Sequence, residues 1–142
     1  MTKATTLGFT GTRHGMTARQ LQQLEMVLKA YIPHGFMDFV HGDCLGADEQ
    51  AAELAKHLGY RTTARPCTIT KMRAYHKSHI VLSPKDTKVR NQAIVDDSKI
   101  LIVAPQEESE VGQSGTWQTY RMAAKAQVPR VMLFPTRTEY QK

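Results

Sequence analysis

Three short glycine-rich segments of the chain combine backbone freedom with charged or hydroxyl side chains. They are Gly8–Gly15, His41–Asp48 and Gly112–Thr116. Glycine lets the backbone come close to a ligand, and free N–H groups at a turn or a helix start attract anions. The candidate ligand-binding residues in these segments are Gly11, Thr12, Arg13, Gly42, Asp43, Gly46, Gly112, Ser114, Gly115 and Thr116. The chemistry that they predict is the binding of an anion such as a phosphate.

Individual side chains refine this prediction. Arg13 carries a planar guanidinium that can clamp a phosphate. Asp43 is the better candidate for a ribose hydroxyl or a water, whereas Asp48 is interpreted as a first-turn acid that favours the helix dipole. Arg90 and Asn91 stand at the predicted start of another helix and are added to the ligand-binding set. No segment matches the GxGxxG or GxxxxGK[ST] fingerprint, so neither motif identifies the ligand.

Acidic residues precede the third glycine-rich segment. Glu107, Glu108 and Glu110 are unusual beside a phosphate, and they are interpreted as a solvated loop or as the source of an acid or base. Glu110 is therefore a candidate catalytic residue. We expect no metal site, because no second His/Cys pair with zinc spacing accompanies His41 and Cys44, and no cofactor is predicted. Trp117 is equally suited to stacking on a base and to core packing.

Strand-like and helix-like patterns alternate along the chain. The predicted strands are Thr6–Phe9, Met37–Val40, Tyr60–Arg65, Ile100–Ala104 and Val131–Phe134. Helical spacing follows a Thr17/Gln20 capping box and recurs over 47–58, 90–97 and 115–126. This alternation predicts an α/β fold, a single domain over 1–142 with a doubly wound, mainly parallel sheet of about five strands flanked by helices. Ligands bind such sheets at the carboxyl ends of the strands, where the three glycine-rich segments fall.

Composition places the chain among folded globular proteins. It has 142 residues, of which 41% are hydrophobic and 23% charged, a balance that argues against disorder. Cys44 and Cys67 form no CxxC pair, so no disulfide framework is expected. The sequence contains no apolar run of membrane-spanning length and no signal-like start, and we therefore expect a cytoplasmic protein without a membrane partner.

Positive charge is concentrated between Arg61 and Arg90. Eight residues of this segment are Lys or Arg and one, Asp86, is acidic, in a chain of net charge +6. Such an excess indicates an anionic partner, a phosphorylated small molecule or a nucleic acid, and is also typical of a solvated surface. A lid over the ligand, a dimer contact and a nucleic-acid surface all remain open. The regular element predicted within the segment is a short helix over Met72–His79.

Taken together, four motifs resemble the SLOG superfamily of Rossmann-like domains. They are Gly11-Thr12-Arg13, Gly42-Asp43-Cys44-Leu45-Gly46-Ala47-Asp48, Arg90-Asn91 and Gly112-x-x-Gly115-Thr116. The superfamily gathers the DNA-processing protein DprA (Smf), the cytokinin-activating LOG phosphoribohydrolases and the stand-alone YspA-like proteins, and the spacing favours the YspA-like branch. The resemblance spans roughly Leu7 to Phe134. It implies a Rossmann-like domain, often a homodimer, that binds a nucleotide or a nucleotide derivative.

One departure from the resemblance bears on catalysis. LOG enzymes cleave the N-glycosidic bond of a nucleoside monophosphate with an Arg and the Glu of a Pro-Gly-Gly-x-Gly-Thr-x-x-Glu signature. Arg90 matches that Arg, and the resemblance therefore implies that Arg90 is a candidate catalytic residue. Val111, Gln113 and Thr119 replace the proline, the second glycine and the glutamate. Threonine cannot act as a carboxylate that stabilises an oxocarbenium-like centre.

Three functions are therefore considered, in this order. The first is a nucleotide-binding module that senses or sequesters its ligand. The second is an N-glycosidase in which Arg90 orients phosphate or ribose and Glu110, Asp43 or Asp96 supplies the missing carboxylate. The third is a DprA-like binder of single-stranded nucleic acid, against which the scarcity of aromatic residues in the basic segment counts.

Overall fold

Residues 2–136, which this computed structural model describes, form a six-stranded sheet flanked by helices. The strands are β1 (Thr6–Gly11), β2 (Asp38–His41), β3 (Arg61–Ala64), β4 (Ile80–Val81), β5 (Ile100–Ala104) and β6 (Arg130–Met132). The helices are α1 (Ala18–Tyr31), α2 (Ala47–His57), α3 (Thr87–Asp97) and α4 (Gly115–Lys125). All strand pairings are parallel, and the order across the sheet is β4-β3-β2-β1-β5-β6. The predicted α/β class and doubly wound sheet are confirmed.

The strand order reverses at the centre of the sheet. From β1 the chain builds outward through β2, β3 and β4, and it then returns to the other side of β1 to add β5 and β6. Connections that leave β1 and β5 in opposite directions open a crevice at the carboxyl ends of these two strands, the switch point at which ligands of such sheets bind.

Successive side chains of the buried strands pack on opposite faces of the sheet, in two apolar layers. Ile102 of β5 packs in the layer that Leu24 and Leu28 of α1 cover, whereas Leu101 and Val103 point to the layer that α3 and α4 cover. Strand β5 is almost wholly buried, which explains its continuous apolar sequence. The two layers hold the strand ends, and hence the turns that follow them, in fixed positions.

The predicted capping box begins helix α1 as expected. The Thr17 hydroxyl accepts from the Gln20 N–H, and the Gln20 side chain accepts from the Thr17 N–H. The buried Gln20 amide also donates to the carbonyls of Pro105 and Leu133, at 2.7 and 2.8 Å. Gln20, in the first turn of α1, therefore also connects this helix to the segments that follow β5 and β6.

The predicted helix over Met72–His79 is wrong. The structure has a 3-10 turn at Thr70–Met72, an irregular stretch in which Tyr75 has φ +55°, and the two-residue edge strand β4. The stretch is held by polar contacts to the sheet, such as the Thr62 N–H bond to His79 Nδ1 (3.0 Å), rather than by an apolar helical face.

Helix α3 also differs from its prediction, because it begins at Thr87 and places Arg90 and Asn91 one turn inside rather than at its start. Among the helices of residues 2–136, none is both long and apolar enough to cross a membrane.

Candidate functional site

A cavity of ≈ 560 Å³ opens at the switch point, at the carboxyl ends of β1, β2 and β5. The turns after these three strands and the first half of α3 supply its walls. Of the predicted site residues, the structure brings ten to the lining: Gly11, Thr12, Arg13, Gly42, Arg90, Asn91, Gly112, Ser114, Gly115 and Thr116. Residues far apart in the sequence thus meet around one volume because parallel strands end at one edge.

The turn after β1 is fixed between β5 and α2. The Thr12 N–H donates to the Ala104 carbonyl (3.0 Å), and the Thr12 carbonyl accepts from the Ala47 N–H (2.9 Å). At Gly11 a β-carbon would lie 2.6 Å from the Ala47 β-carbon, so glycine is required where the turn meets α2. The next residue, Arg13, lines the cavity with an exposed side chain. Its guanidinium is therefore able to reach a ligand from a rigid backbone.

The turn after β2 is organised by a buried carboxylate. Asp48, in the first turn of α2, is 4% exposed. Its Oδ2 accepts from the N–H groups of Gly42 (3.0 Å) and Cys44 (3.3 Å). Burial raises the pKa of Asp48 to about 6, and the nearby charge of Arg90 opposes part of that rise. Asp48 is more than the helix-dipole partner that its position in sequence indicated, because its side chain also lines the cavity.

Arg90 is held in place by main-chain carbonyls. Its Nη1 donates to the carbonyls of Gly42 and Arg65, and its Nε donates to the Asn91 side chain at 2.7 Å. Nη2 has a long contact of 3.6 Å with the Cys44 sulfur. The guanidinium is buried and lines the cavity, and none of the ion pairs found within residues 2–136 includes it. Its positive charge is therefore available to a bound anion.

Gly42 is the point at which these two groups approach each other. A β-carbon at Gly42 would lie 2.7 Å from Arg90 Nη1 and 2.9 Å from Asp48 Oδ2. The absence of a side chain at Gly42 thus allows a carboxylate and a guanidinium to sit on either side of the same backbone.

The turn between β5 and α4 presents the start of a helix to the cavity. Ser114 caps α4 by accepting from the Trp117 N–H at 3.2 Å. The N–H groups of Gly115 and Thr116, the first two residues of the helix, have no intrahelical partner by construction, and both residues line the cavity. Trp117 itself is buried and its indole N–H donates to Glu107 at 3.0 Å. Trp117 therefore packs beneath the turn, in agreement with the prediction of core packing and not with that of stacking on a base.

Three predicted site residues lie elsewhere. Asp43 is buried away from the cavity lining, where its carboxylate accepts from the His76 N–H (2.9 Å) and Arg73 Nε (3.2 Å). Gly46 caps α2 with φ +86° against the main chain of Arg13. Glu110 lies outside the lining in a surface ion pair of 2.6 Å with Arg121.

The carboxylates considered as replacements for the LOG glutamate are therefore all outside the cavity lining. Asp96 bonds the Gln92 side chain on the exposed face of α3, as Asp43 and Glu110 bond their own partners. Thr119, at the glutamate's position, is fully buried and donates to the Gly115 carbonyl. The carboxylates that do line the cavity are Asp48 and Glu107.

Several lining residues were not among the site residues predicted from the sequence, and Met72 and Cys44 are two of them. Met72 comes from the irregular basic segment, in which no periodic pattern predicts a position. Cys44 was considered only as a metal ligand, yet its thiol faces Arg90 in the cavity wall. Burial raises the pKa of Cys44 to about 12, so the thiol is kept protonated.

The basic segment is less positive than its sequence indicates. Three of its arginines form ion pairs with acids from other parts of the chain. The pairs are Arg61 with Asp38 (2.7 Å), Arg65 with Asp97 (2.5 Å) and Arg73 with Asp43 (3.2 Å). Arg90 is buried in the cavity wall. The exposed cations that remain are Lys71, Lys77, Lys85 and Lys88.

Comparison with known proteins identifies the fold through structure alone. No known family profile matches the chain, and no curated protein matches it in sequence. The molybdenum cofactor binding protein of the phototrophic bacterium Rippkaea orientalis superposes with a TM-score of 0.70 at 20% identity, over 92% of this chain and 77% of that one. DNA processing protein A of Helicobacter pylori superposes with a TM-score of 0.64 at 21% identity, over 96% and 68% of the two chains. The same protein of Streptococcus pneumoniae gives a TM-score of 0.69 at 19% identity, over 92% and 50%.

The chain has the Rossmann-like fold of these proteins. The molybdenum cofactor binding protein and the DNA-processing proteins share this architecture, so the resemblance first seen in four short motifs is confirmed at the level of the fold. Within this fold, each of the four motifs contributes residues to the cavity lining. Its chemistry must be argued from that cavity.

Proposed function

We propose that the cavity binds a phosphorylated small molecule, a nucleotide or a nucleotide-derived ligand. The observation that carries the proposal is the convergence of the α4 helix start, Arg13 and Arg90 on one cavity of ≈ 560 Å³. That volume falls within the range of about 300–1,000 Å³ typical of small-molecule sites. Nothing in this arrangement requires catalysis, and it suits a protein that senses, carries or sequesters its ligand.

The phosphate end of the ligand is expected at the α4 turn. The N–H groups of Gly115 and Thr116 and the positive end of the helix dipole favour a negative charge there. Arg13 approaches from the neighbouring β1 turn with an exposed guanidinium, which can form paired hydrogen bonds to phosphate oxygens. Arg90 adds a charge that no carboxylate within residues 2–136 pairs within salt-bridge distance.

Two features support a small molecule over a nucleic acid. The Rippkaea orientalis protein of the same fold binds the molybdenum cofactor, whereas the Helicobacter pylori protein binds single-stranded DNA. In this chain three arginines of the basic segment are paired with acids, and Tyr60, which directly precedes the segment, is buried. Tyr75 is exposed, with Arg73 over its ring at 4.2 Å. A surface with one stacking residue and scattered lysines is poorly suited to binding single-stranded nucleic acid. The cavity is better suited to binding a small molecule.

Isothermal titration against AMP, GMP, CMP, UMP, NAD, ADP-ribose and molybdenum cofactor tests the proposal. Arg13→Ala should weaken the best ligand about 10- to 100-fold, because a charge-assisted hydrogen bond contributes about 1.5–3 kcal/mol. Lys99→Ala is the matched control, since it removes an exposed charge just before β5, at the opposite edge of the sheet. If no compound binds, or if both variants bind like the parent, the cavity is not the ligand site.

Arg13 is a sharper probe than Arg90. Arg90 holds the carbonyls of Gly42 and Arg65 as well as lining the cavity. Arg90→Ala would therefore combine loss of a ligand contact with loss of internal hydrogen bonds, whereas Arg13→Ala leaves the packing of the turn intact.

Cleavage of the ligand is a second candidate function, favoured by one observation. Asp48 and Glu107 place two carboxylates in the cavity wall, which an N-glycosidase needs and which the signature position Thr119 does not provide. Proton NMR of the same mixtures over time separates the two functions. Free base that accumulates with the parent and not with Glu107→Gln or Asp48→Asn would establish cleavage, whereas unchanged ligand signals would leave a binding protein.

A further inference from the structure

The walls of the cavity differ in their polar groups. The α4 turn and Arg13 offer donors and positive charge, and Glu107 beside that turn accepts from the Trp117 indole. The β2–α2 turn offers the Asp48 carboxylate, with Arg90 on the other side of Gly42. A carboxylate accepts hydrogen bonds, so a neutral ligand group that carries donors fits beside Asp48 better than a phosphate does. We therefore expect a ligand to lie with its phosphate toward α4 and a donor-bearing group toward α2.

Asp48 retains acceptor capacity for such a group. A carboxylate has about four lone-pair sites, and the two main-chain bonds to Asp48, from Gly42 and Cys44, both go to Oδ2. Asp48 takes part in none of the ion pairs found within residues 2–136, although Arg90 is near enough to favour its charged form. A buried carboxylate without a salt bridge is stabilised by further donors, which a ligand can supply.

Resting on the proposed function, we propose that Asp48 selects ribose: its carboxylate accepts hydrogen bonds from the vicinal hydroxyls of a ribonucleotide bound in the cavity. Asp43, the sequence-based candidate for this role, is committed to Arg73 and His76 outside the lining. The site then prefers ribonucleotides over deoxyribonucleotides, and Asp48 is a specificity-determining residue in addition to a structural one.

The test compares each of AMP, GMP, CMP and UMP with its 2′-deoxy counterpart, and AMP with 3′-deoxy-AMP, by isothermal titration at pH 7.5. The parent protein should bind the ribonucleotide about 10- to 100-fold more tightly than the deoxy form, because removal of the hydroxyl leaves a buried acceptor unpaired. In Asp48→Asn, whose amide oxygen can still accept from the turn, this preference should fall to within about threefold.

Asp96→Asn provides the matched control. It makes the same chemical change on the exposed face of α3, outside the cavity lining, and should keep the full ribose preference. If Asp48 only supported the turn, Asp48→Asn would weaken the binding of ribonucleotides and deoxyribonucleotides by the same factor. The ratio of the two affinities therefore separates ribose selection from a structural role.

The outcomes are distinguishable. Nucleotides that bind the parent with equal affinity in both sugar forms would overturn the role of Asp48 and leave the proposed function standing. A preference that persists in Asp48→Asn, or one that follows the base (GMP over IMP) instead of the sugar, would also overturn it. Absence of any nucleotide binding would remove the proposed function and this inference together. Should Asp48→Asn fail to fold, equal affinities of the parent protein for the two sugar forms would still overturn the proposal.

Discussion

Gly46 is the N-cap of helix α2 and packs against the turn that follows β1. Its replacement by alanine should destabilise the fold strongly. Gly46 has φ +86° and ψ −122°, a conformation that L residues rarely adopt. A β-carbon there would lie 2.6 Å from the Arg13 carbonyl carbon and 2.9 Å from the Gly15 nitrogen, with the Arg13 carbonyl oxygen closer still. These are main-chain atoms that cannot rotate away, so either α2 or the Arg13 turn must move.

The expected cost has two parts. The unfavourable backbone conformation contributes about 1–3 kcal/mol, and forced displacement of packed atoms adds about 1–3 kcal/mol. Gly46→Ala should therefore lower the free energy of unfolding by about 2–6 kcal/mol. Gly59→Ala is the matched control, because Gly59 has φ +98° but no atom within 4 Å of its β-carbon position. It should cost only the conformational part, about 1–3 kcal/mol.

Urea unfolding followed by the fluorescence of Trp117, the single tryptophan, measures both variants. With a slope of about 2 kcal/mol per molar urea, the midpoint should fall by about 1–3 M for Gly46→Ala and by a smaller amount, about 0.5–1.5 M, for Gly59→Ala. Equal midpoints for the two variants would refute the steric argument. Folded Gly46→Ala should also bind the ligand more weakly, since Arg13 is carried on the displaced turn.

Three further predictions use buried titratable groups. The pKa of Asp48, raised to about 6, lies above its unfolded value, so the stability that the protonated form contributes is present below pH 4 and lost as pH rises through 6. Asp48→Asn should lack this loss, about 3 kcal/mol between pH 4 and 7 in the difference between the two unfolding curves. His41 acts in the opposite sense. It is fully buried and accepts from the Asp43 N–H, and burial, followed by the charges of His76 and Arg90, lowers its pKa to about 3. Its contribution is present above pH 6.5 and lost as pH falls toward 3, so unfolding curves of His41→Gln should depend less on pH between 6.5 and 4.5, by about 3 kcal/mol. Finally, Cys44 with its raised pKa and buried Cys67 should react with Ellman's reagent at pH 7.5 far more slowly in the folded protein than in urea, and rapid labelling of folded Cys44 would contradict the arrangement of the β2 turn.

Local patterns in the sequence were sufficient where a single element carries its own signal. The Thr17/Gln20 capping box, the apolar run of β5 and the start of α4 at Gly115 each appear in the structure as predicted. Such signals depend on neighbours within four residues, through capping bonds or side-chain periodicity. The irregular stretch over 67–85 had no such signal, because its conformation depends on polar contacts to β3 and to the turn after β2, which are made across the fold.

The candidate site was also only partly predictable from the sequence. Three glycine-rich turns at strand ends were enough to predict one edge of a parallel sheet, and ten of the twelve ligand-binding candidates line its cavity. Which acid faces the ligand could not be predicted from the sequence. Asp43 and Asp48 are five residues apart and chemically alike, but Arg73 and His76 engage one while the other turns toward Gly42 and the cavity.

The sequence by itself therefore determined the element types outside the 67–85 stretch, the sheet edge that carries the polar turns and the glycines that such turns need. These properties follow from local backbone preferences and from the rule that parallel strands end together. Only the tertiary structure decided which charges are used internally and which remain for a ligand. Ion pairs between distant residues, such as Arg61 with Asp38 and Arg65 with Asp97, neutralise much of a segment that reads as basic. Burial then sets the protonation of Asp48 and Cys44, and that depends on everything packed around them rather than on their neighbours in the chain.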